Sequence, residues 1–129
     1  MSLPRRFRLS GQTAFSRVFK QAIVSSDGSF KVLARVSDGP LPRLGMAVSR
    51  QVDKRAVQRN RLKRVIRESF RAHYGNQERG VLADFVVLPR RQAASICNNL
   101  LFNQLERHWQ SLDHRLADEV RTTQAEARR

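Results

Sequence analysis

The elements legible in this sequence run helix, strand, strand, helix, strand, helix. That order predicts an α+β or α/β sandwich in which helices cover a small sheet. Three observations carry the expectation. A chain of 129 residues, 40% of them hydrophobic, has the size and apolar content of one domain with one packed core. Its β-prone runs are short, while its helical stretches repeat apolar residues three and four positions apart. Breaks rich in Gly, Pro and Asp separate the two kinds of segment.

Residues 1–9 are basic, with Arg5, Arg6 and Arg8 around Phe7, and read as extended. Ser10 is placed to cap a helix whose apolar face is Ala14-Phe15, Val18-Phe19 and Ala22. Asp27-Gly28 signals a turn, and Phe30–Val36 is β-prone. The loop Asp38-Gly39-Pro40-Leu41-Pro42 leads to a mostly buried strand, Leu44–Ser49, in which Gly45 marks a bulge or a close backbone approach. These two strands read as a hairpin with a five-residue connection. A helix from about Lys54 to Tyr74 follows, with Asp53 as N-cap and Gly75-Asn76 as its stop. Asp84–Leu88 is a short buried strand ended by Pro89.

The last helix starts near Gln92 and carries Ala94, Cys97, Leu101, Leu105, His108-Trp109, Leu112 and Leu116 at helical spacing. Cys97 and Trp109 are expected in the core. Apolar positions thin out beyond Asp118, so a single domain over residues 1–120 and a disordered tail over 121–129 are expected.

Charge narrows the function. The net charge is +14, and 21 of the 25 basic residues are Arg. Such a surface meets a polyanion, and arginine is preferred where a planar fork grips phosphate. Residues 1–75 hold 17 basic against 4 acidic side chains, so the binding surface is expected there. The stretch 54–71 alone has eight basic side chains and one acid, Glu68. On a helical wheel Leu62, Val65, Ile66, Ser69 and Phe70 share one side, while Asn60, Arg64, Arg67 and Arg71 fall opposite, flanked by Arg61 and Lys63. A charge run is ordinarily a solvated face. The preponderance of Arg and near absence of acids turn this one into a polyanion site. Phe15 and Phe19 have a spacing that suits plain core and base-packing aromatics equally.

Other classes are disfavoured. The longest apolar run, Phe85–Leu88, is far short of a membrane span, and no signal peptide is read at the start. One cysteine excludes an internal disulfide framework. His73, His108 and His114 lack metal-site spacing, and His73 reads as a capping charge at the end of the basic helix. Asp27, Asp38, Asp53 and Asp84 lie at turns, caps or strand starts, so no catalytic carboxylate set is expected. A cytoplasmic domain with neither catalytic nor metal-ligating residues of its own is left.

Leu44–Arg50 together with Lys54–Arg71, centred on Arg59-Asn60-Arg61, resembles the signature of the protein subunit of bacterial ribonuclease P. Arg8-Leu9, the Phe15-x-x-Val18-Phe19 helix and Asp84–Val87 extend the likeness over about residues 5–112. The resemblance implies an α/β sandwich with a small mixed sheet, like ribosomal protein S5 domain 2, containing a left-handed βαβ crossover against the usual right-handed rule. It implies catalysis by an RNA subunit with Mg2+ held mainly by that RNA, and removal of the 5′ leader from precursor tRNA. Ribonuclease P RNA and precursor tRNA would be the partners, with no membrane and no protein partner. Arg59, Asn60, Arg61, Lys63, Arg64, Arg67 and Arg71 would face the RNA subunit. Phe15, Phe19, Lys20, Lys31 and Leu33 would form the leader cleft. Some family members have an aromatic residue where Leu33 aligns, and leucine stacks poorly on a base. A structural ribosomal RNA-binding protein is the alternative. A DNA-binding helix-turn-helix is disfavoured, because no short helix and turn precede residue 54.

Overall fold

A computed structural model describes residues 3–37, 39–75 and 82–127. Asp38, Asn76 and residues 128–129, which figure in the expected loop, helix stop and tail, lie outside them. The chain forms α1 (Gln12–Lys20), β1 (Ile23–Ser26), β2 (Phe30–Val36), β3 (Arg43–Met46), α2 (Ala56–Tyr74), β4 (Ala83–Pro89) and α3 (Asn98–Ala127), with 3-10 turns at Arg5–Phe7 and Arg91–Ser95.

The sheet is mixed, in the order β1-β2-β4-β3, so the fold is α+β. The expected hairpin between Phe30–Val36 and Leu44–Ser49 does not form, and the second of these strands is shorter than expected, Arg43–Met46. β4 presents Phe85 and Val87 to one face and Val86 and Leu88 to the other, and it takes the centre, pairing antiparallel with β2 along seven residues and parallel with β3 along four. The hairpin of this fold is β1–β2, and β1 is a strand that the sequence pattern did not disclose. Asp27 makes its turn. The Asp27 carboxylate accepts the N–H groups of Ser29 and Phe30 at 2.8 and 2.7 Å.

One sheet face carries Phe30, Val32, Ala34, Leu44, Phe85 and Val87, and α2 and α3 bury it. The wheel face Leu62, Val65, Ile66, Ser69 and Phe70 is buried as its periodicity predicts, and it continues through His73 and Tyr74. Phe70, Tyr74, Phe85 and Trp109 pack edge-on or tilted, with ring centroids 4.7–5.8 Å apart. The Trp109 indole donates to Ser69 Oγ at 2.8 Å, so the buried ring leaves no polar atom unpaired.

Among the described elements, α1 is the helix that covers the other face, with Leu9 beside it. Val18 is fully buried there against Leu9, Leu33 and Val86, with Ala14, Phe15 and Ala22 around it.

Four helix boundaries differ from expectation. Gly11, not Ser10, is the N-cap of α1, and no side chain caps that helix. Asp53 is not the N-cap of α2; its carboxylate instead takes the N–H and the guanidinium of Arg55, and these bonds hold its pKa down to about 2. The chain breaks between the Arg91–Ser95 turn and α3, where Ile96 is extended, and this leaves Cys97 exposed rather than in the core. At the far end, residues 121–127 continue α3 as fully exposed helix where a disordered tail was expected.

Candidate RNA-binding surfaces

The outward side of α2 is the first surface. Asn60, Arg64 and Arg71 are exposed, while Arg59, Arg61, Lys63 and Arg67 are partly covered. Their spacing sets neighbouring side chains about 5–6 Å apart along the helix. Among the described residues no hydrogen bond or ion pair engages the side chains of Asn60, Lys63, Arg64 or Arg67. The first turn carries no acid and no side-chain cap, so its N–H groups and the helix dipole add to the positive field.

The basic residues divide by role. Arg59 turns back to the Asp53 and Lys54 carbonyls, at 3.1 and 2.8 Å. Arg61 spans the break before α3. It donates to the carbonyls of Ala94 and Ile96 at 3.0 and 3.1 Å, to Asn98 Oδ1 at 2.7 Å and to Gln58 at 2.9 Å. Its guanidinium thus fastens α2 to the chain entering α3, a duty that the wheel does not disclose.

His73 is not a capping charge at the helix end. Its ring lies buried between Glu106 (2.9 Å) and Asp113 (2.6 Å) of α3, and Asp113 also accepts the Tyr74 hydroxyl at 2.7 Å. Burial opposes charging the imidazole, but the hydrogen bond and charge of Asp113, then those of Glu106, outweigh it and raise the pKa. For Tyr74, burial and then Asp113 raise the pKa, so the phenol stays protonated.

The second surface lies beside α1. Phe19 is 50% exposed and Phe15 half-buried, so Val18 with its neighbouring alanines seals the sheet while the rings stand at its margin. Phe15 lies over β3 at Gly45, where a Cβ would stand 2.6 Å from its ring. The glycine therefore marks a close approach, and the strand register is regular, without a bulge. Lys31, exposed on this face, is paired in register with Leu88. Lys20 is exposed at the end of α1, three residues after Arg17, and so between its two flanks.

Leu33 departs from its expected role. It is 4% exposed, closed over by Val18, and is the floor beneath the helix rather than a surface for a base. Among the described residues no three His, Cys, Asp or Glu side chains converge as a metal-binding group. Asp27, Asp53, Asp84 and Asp113 are instead bonded to protein donors.

The profile of the Ribonuclease P family matches residues 3–113. The chain belongs to the ribonuclease P protein family. The ribonuclease P protein component of Methylococcus capsulatus is 43% identical over 112 residues, covering 87% of this chain and 85% of that one. That of Vibrio cholerae is 40% identical over 108 residues, covering 84% and 89%. Among solved structures, the Staphylococcus aureus ribonuclease P protein superposes with a TM-score of 0.71 at 28% identity, over 78% of this chain and 90% of that one. The Thermotoga maritima ribonuclease P protein gives 0.67 at 28% identity, over 83% and 96%. The ribonuclease P role, in a tRNA-processing complex with an RNA partner, follows from this membership, and the structural ribosomal alternative is not favoured.

Proposed function

We propose that this chain is the non-catalytic, RNA-binding half of a cytoplasmic ribonuclease P, in which the RNA subunit and Mg2+ bound to it cleave the 5′ leader from precursor tRNA. The outward side of α2 docks on the RNA subunit, with Asn60, Lys63, Arg64 and Arg67 supplying phosphate and base contacts. Arg59, Arg61 and Arg71 line the same side. The leader lies beside α1, where Phe15 and Phe19 meet its bases and Lys20 and Lys31 its phosphates. That pairing of aromatic platforms with cations is typical of single-strand grooves.

The observation that supports this reading most directly is the row of cations on α2, Lys63, Arg64 and Arg67, whose side chains have no partner among the described residues. Like charges at helical spacing repel, and a phosphate backbone relieves them. The test is reconstitution. The protein is added to bacterial ribonuclease P RNA and precursor tRNA, and 5′ cleavage is followed while Mg2+ is lowered. The protein is expected to restore cleavage at Mg2+ concentrations where the RNA alone fails, and to show none without RNA. Metal-dependent cleavage by rigorously RNA-free protein would overturn the assignment of chemistry to the RNA.

A further inference from the structure

At one end of the face that α1 covers, Arg17, Arg35, Arg43 and Asp84 line a notch of about 250 Å3. Three strands, a helix and the loop after β2 build it: Arg17 comes from α1, Arg35 from β2, Ser37 and Gly39 from the loop, Arg43 from β3 and Asp84 from β4. The register sets Arg35 and Arg43 on either side of Asp84. Arg43 takes both oxygens of the Asp84 carboxylate, each at 2.9 Å, so that one negative charge is already matched. Arg35 Nη1 donates to the main-chain oxygen of Arg17 at 3.1 Å, which ties the helix to the sheet and fixes the guanidinium. Arg17 itself is exposed and has no side-chain partner among the described residues. Among the described residues, then, the Arg17 and Arg35 guanidiniums have no acid to balance them, and they share one recess.

The notch is separate from the cleft at Phe15 and Phe19. With Val18 pointing at the sheet, Phe19 and Arg17 project about 100° to either side of it. Arg35 and Lys31 are four residues apart on β2, about 13 Å along the strand. Arg35 and Lys31 thus lie at opposite ends of β2 on this face, while Lys20 lies on the outward side of α1 between the two sites.

We propose that the Arg17–Arg35–Arg43 notch is a second phosphodiester-binding site, which holds an RNA phosphate on the flank of α1 turned away from the aromatic cleft. Arg17 and Arg35 contact the phosphate, and Arg43 is a positioning residue whose fork is set by Asp84. Guanidiniums held in a fixed recess suit bidentate recognition of phosphate oxygens. The inference rests on the ribonuclease P reading above. Two RNAs supply this chemistry, the RNA subunit and the precursor's leader.

The experiment uses the holoenzyme reconstituted with ribonuclease P RNA. Arg17→Gln/Arg35→Gln and the single Arg17→Glu are compared with wild type, first in binding to the RNA subunit. Holoenzyme binding to precursors with long and short leaders is then measured, each over a range of salt. About a tenfold loss is expected in one of these steps, as charge-assisted contacts give. The log-affinity against log-salt slope should become shallower by about one for each phosphate that is no longer neutralised. A loss in subunit binding places the phosphate on the RNA subunit, and a loss only with the long leader places it on the leader. The Arg17 side chain bonds to nothing within the described fold, so Arg17→Glu decides the matter even where the double variant melts early. Affinities within twofold of wild type and unchanged slopes for Arg17→Glu would overturn the site. Wild-type protein that failed to support low-Mg2+ cleavage would overturn the ribonuclease P reading instead.

Discussion

A Cβ on Gly45 would stand 2.6 Å from Phe15 Cζ, closer than real side chains approach, and 3.1 and 3.2 Å from Cε1 and Cε2. The obstacle is a side chain and not backbone, so in Gly45→Ala the ring is expected to be displaced from β3. Gly45→Ala is expected to weaken binding of leader-bearing precursor while the protein still folds, which a thermal melt alongside the binding assay would establish. Phe19→Ala removes a ring already half in solvent, so it opens no core cavity. It should weaken holoenzyme binding to a precursor with a leader by roughly 1–3 kcal/mol, as loss of one base-stacking platform does. Binding of mature tRNA should stay nearly unchanged; an equal loss with both ligands would remove Phe19 from the leader site. The spacing of Phe15 and Phe19 leaves core and cleft equally open, because ring exposure depends on how α1 docks across the sheet. Leu33 shows the same limit from the other side: its register position is regular, but only the docked helix reveals that it is covered.

The periodicity of α2 made its inner and outer faces legible, since 3.6-residue spacing is a local property. What each arginine does was not legible, because Arg61 finds its partners at Ala94, Ile96 and Asn98, more than thirty residues away. The two kinds of arginine should separate by measurement. Arg61→Ala is expected to lower folding stability by about 1–3 kcal/mol, since it strips donors from part-buried carbonyls at the entry to α3. Arg64→Ala should leave the melting temperature in place and weaken RNA-subunit binding by a similar amount, as an exposed charge-assisted contact would. A reversal of these two outcomes would exchange the structural and the binding arginine.

Strand pairing was the least legible feature. The choice between a β2–β3 hairpin and insertion of β4 is made by a segment some forty residues downstream, whose apolar character on both faces claims the centre of the sheet.

The junction of α2 with α3 also carries a pH dependence. His73 has a raised pKa in the folded protein, so the folded state binds its proton more tightly than the unfolded chain does. Its contribution to stability is full below the free imidazole value of 6.5 and is lost as pH rises through the folded-state pKa. The melting temperature should accordingly fall over that range, and His73→Asn should flatten the fall. A wild-type melting temperature that rises with pH there would contradict the charged His73 bridge.

Charge and core are laid out in different parts of the chain. Residues 1–75 hold 17 basic and 4 acidic side chains. The basic sides of α1 and α2 and the exposed Lys31 all lie within that segment. α3, in the more nearly neutral remainder, supplies Leu101, Leu105, Trp109, Leu112 and Leu116 to the core. This division was legible from composition, because guanidiniums stay at the surface unless paired, whichever fold is adopted. It also fixes how binding responds to salt. Each phosphate neutralised by an arginine or lysine releases condensed counterions, so log affinity for the RNA subunit should fall linearly with log salt, with a steep slope. Arg64 is exposed, and no acid or carbonyl among the described residues competes for its guanidinium. It should contribute about one unit of that slope, and Arg64→Ala should make it shallower by that amount. Arg61 is already occupied by carbonyls and an amide, so Arg61→Ala should change the slope much less once folded protein is compared with folded protein. Filter binding or fluorescence titration from low to moderate salt gives all three slopes. A flat wild-type dependence, or one that Arg64→Ala leaves unaltered while affinity falls, would show that the outward row of α2 is not where the RNA backbone lies.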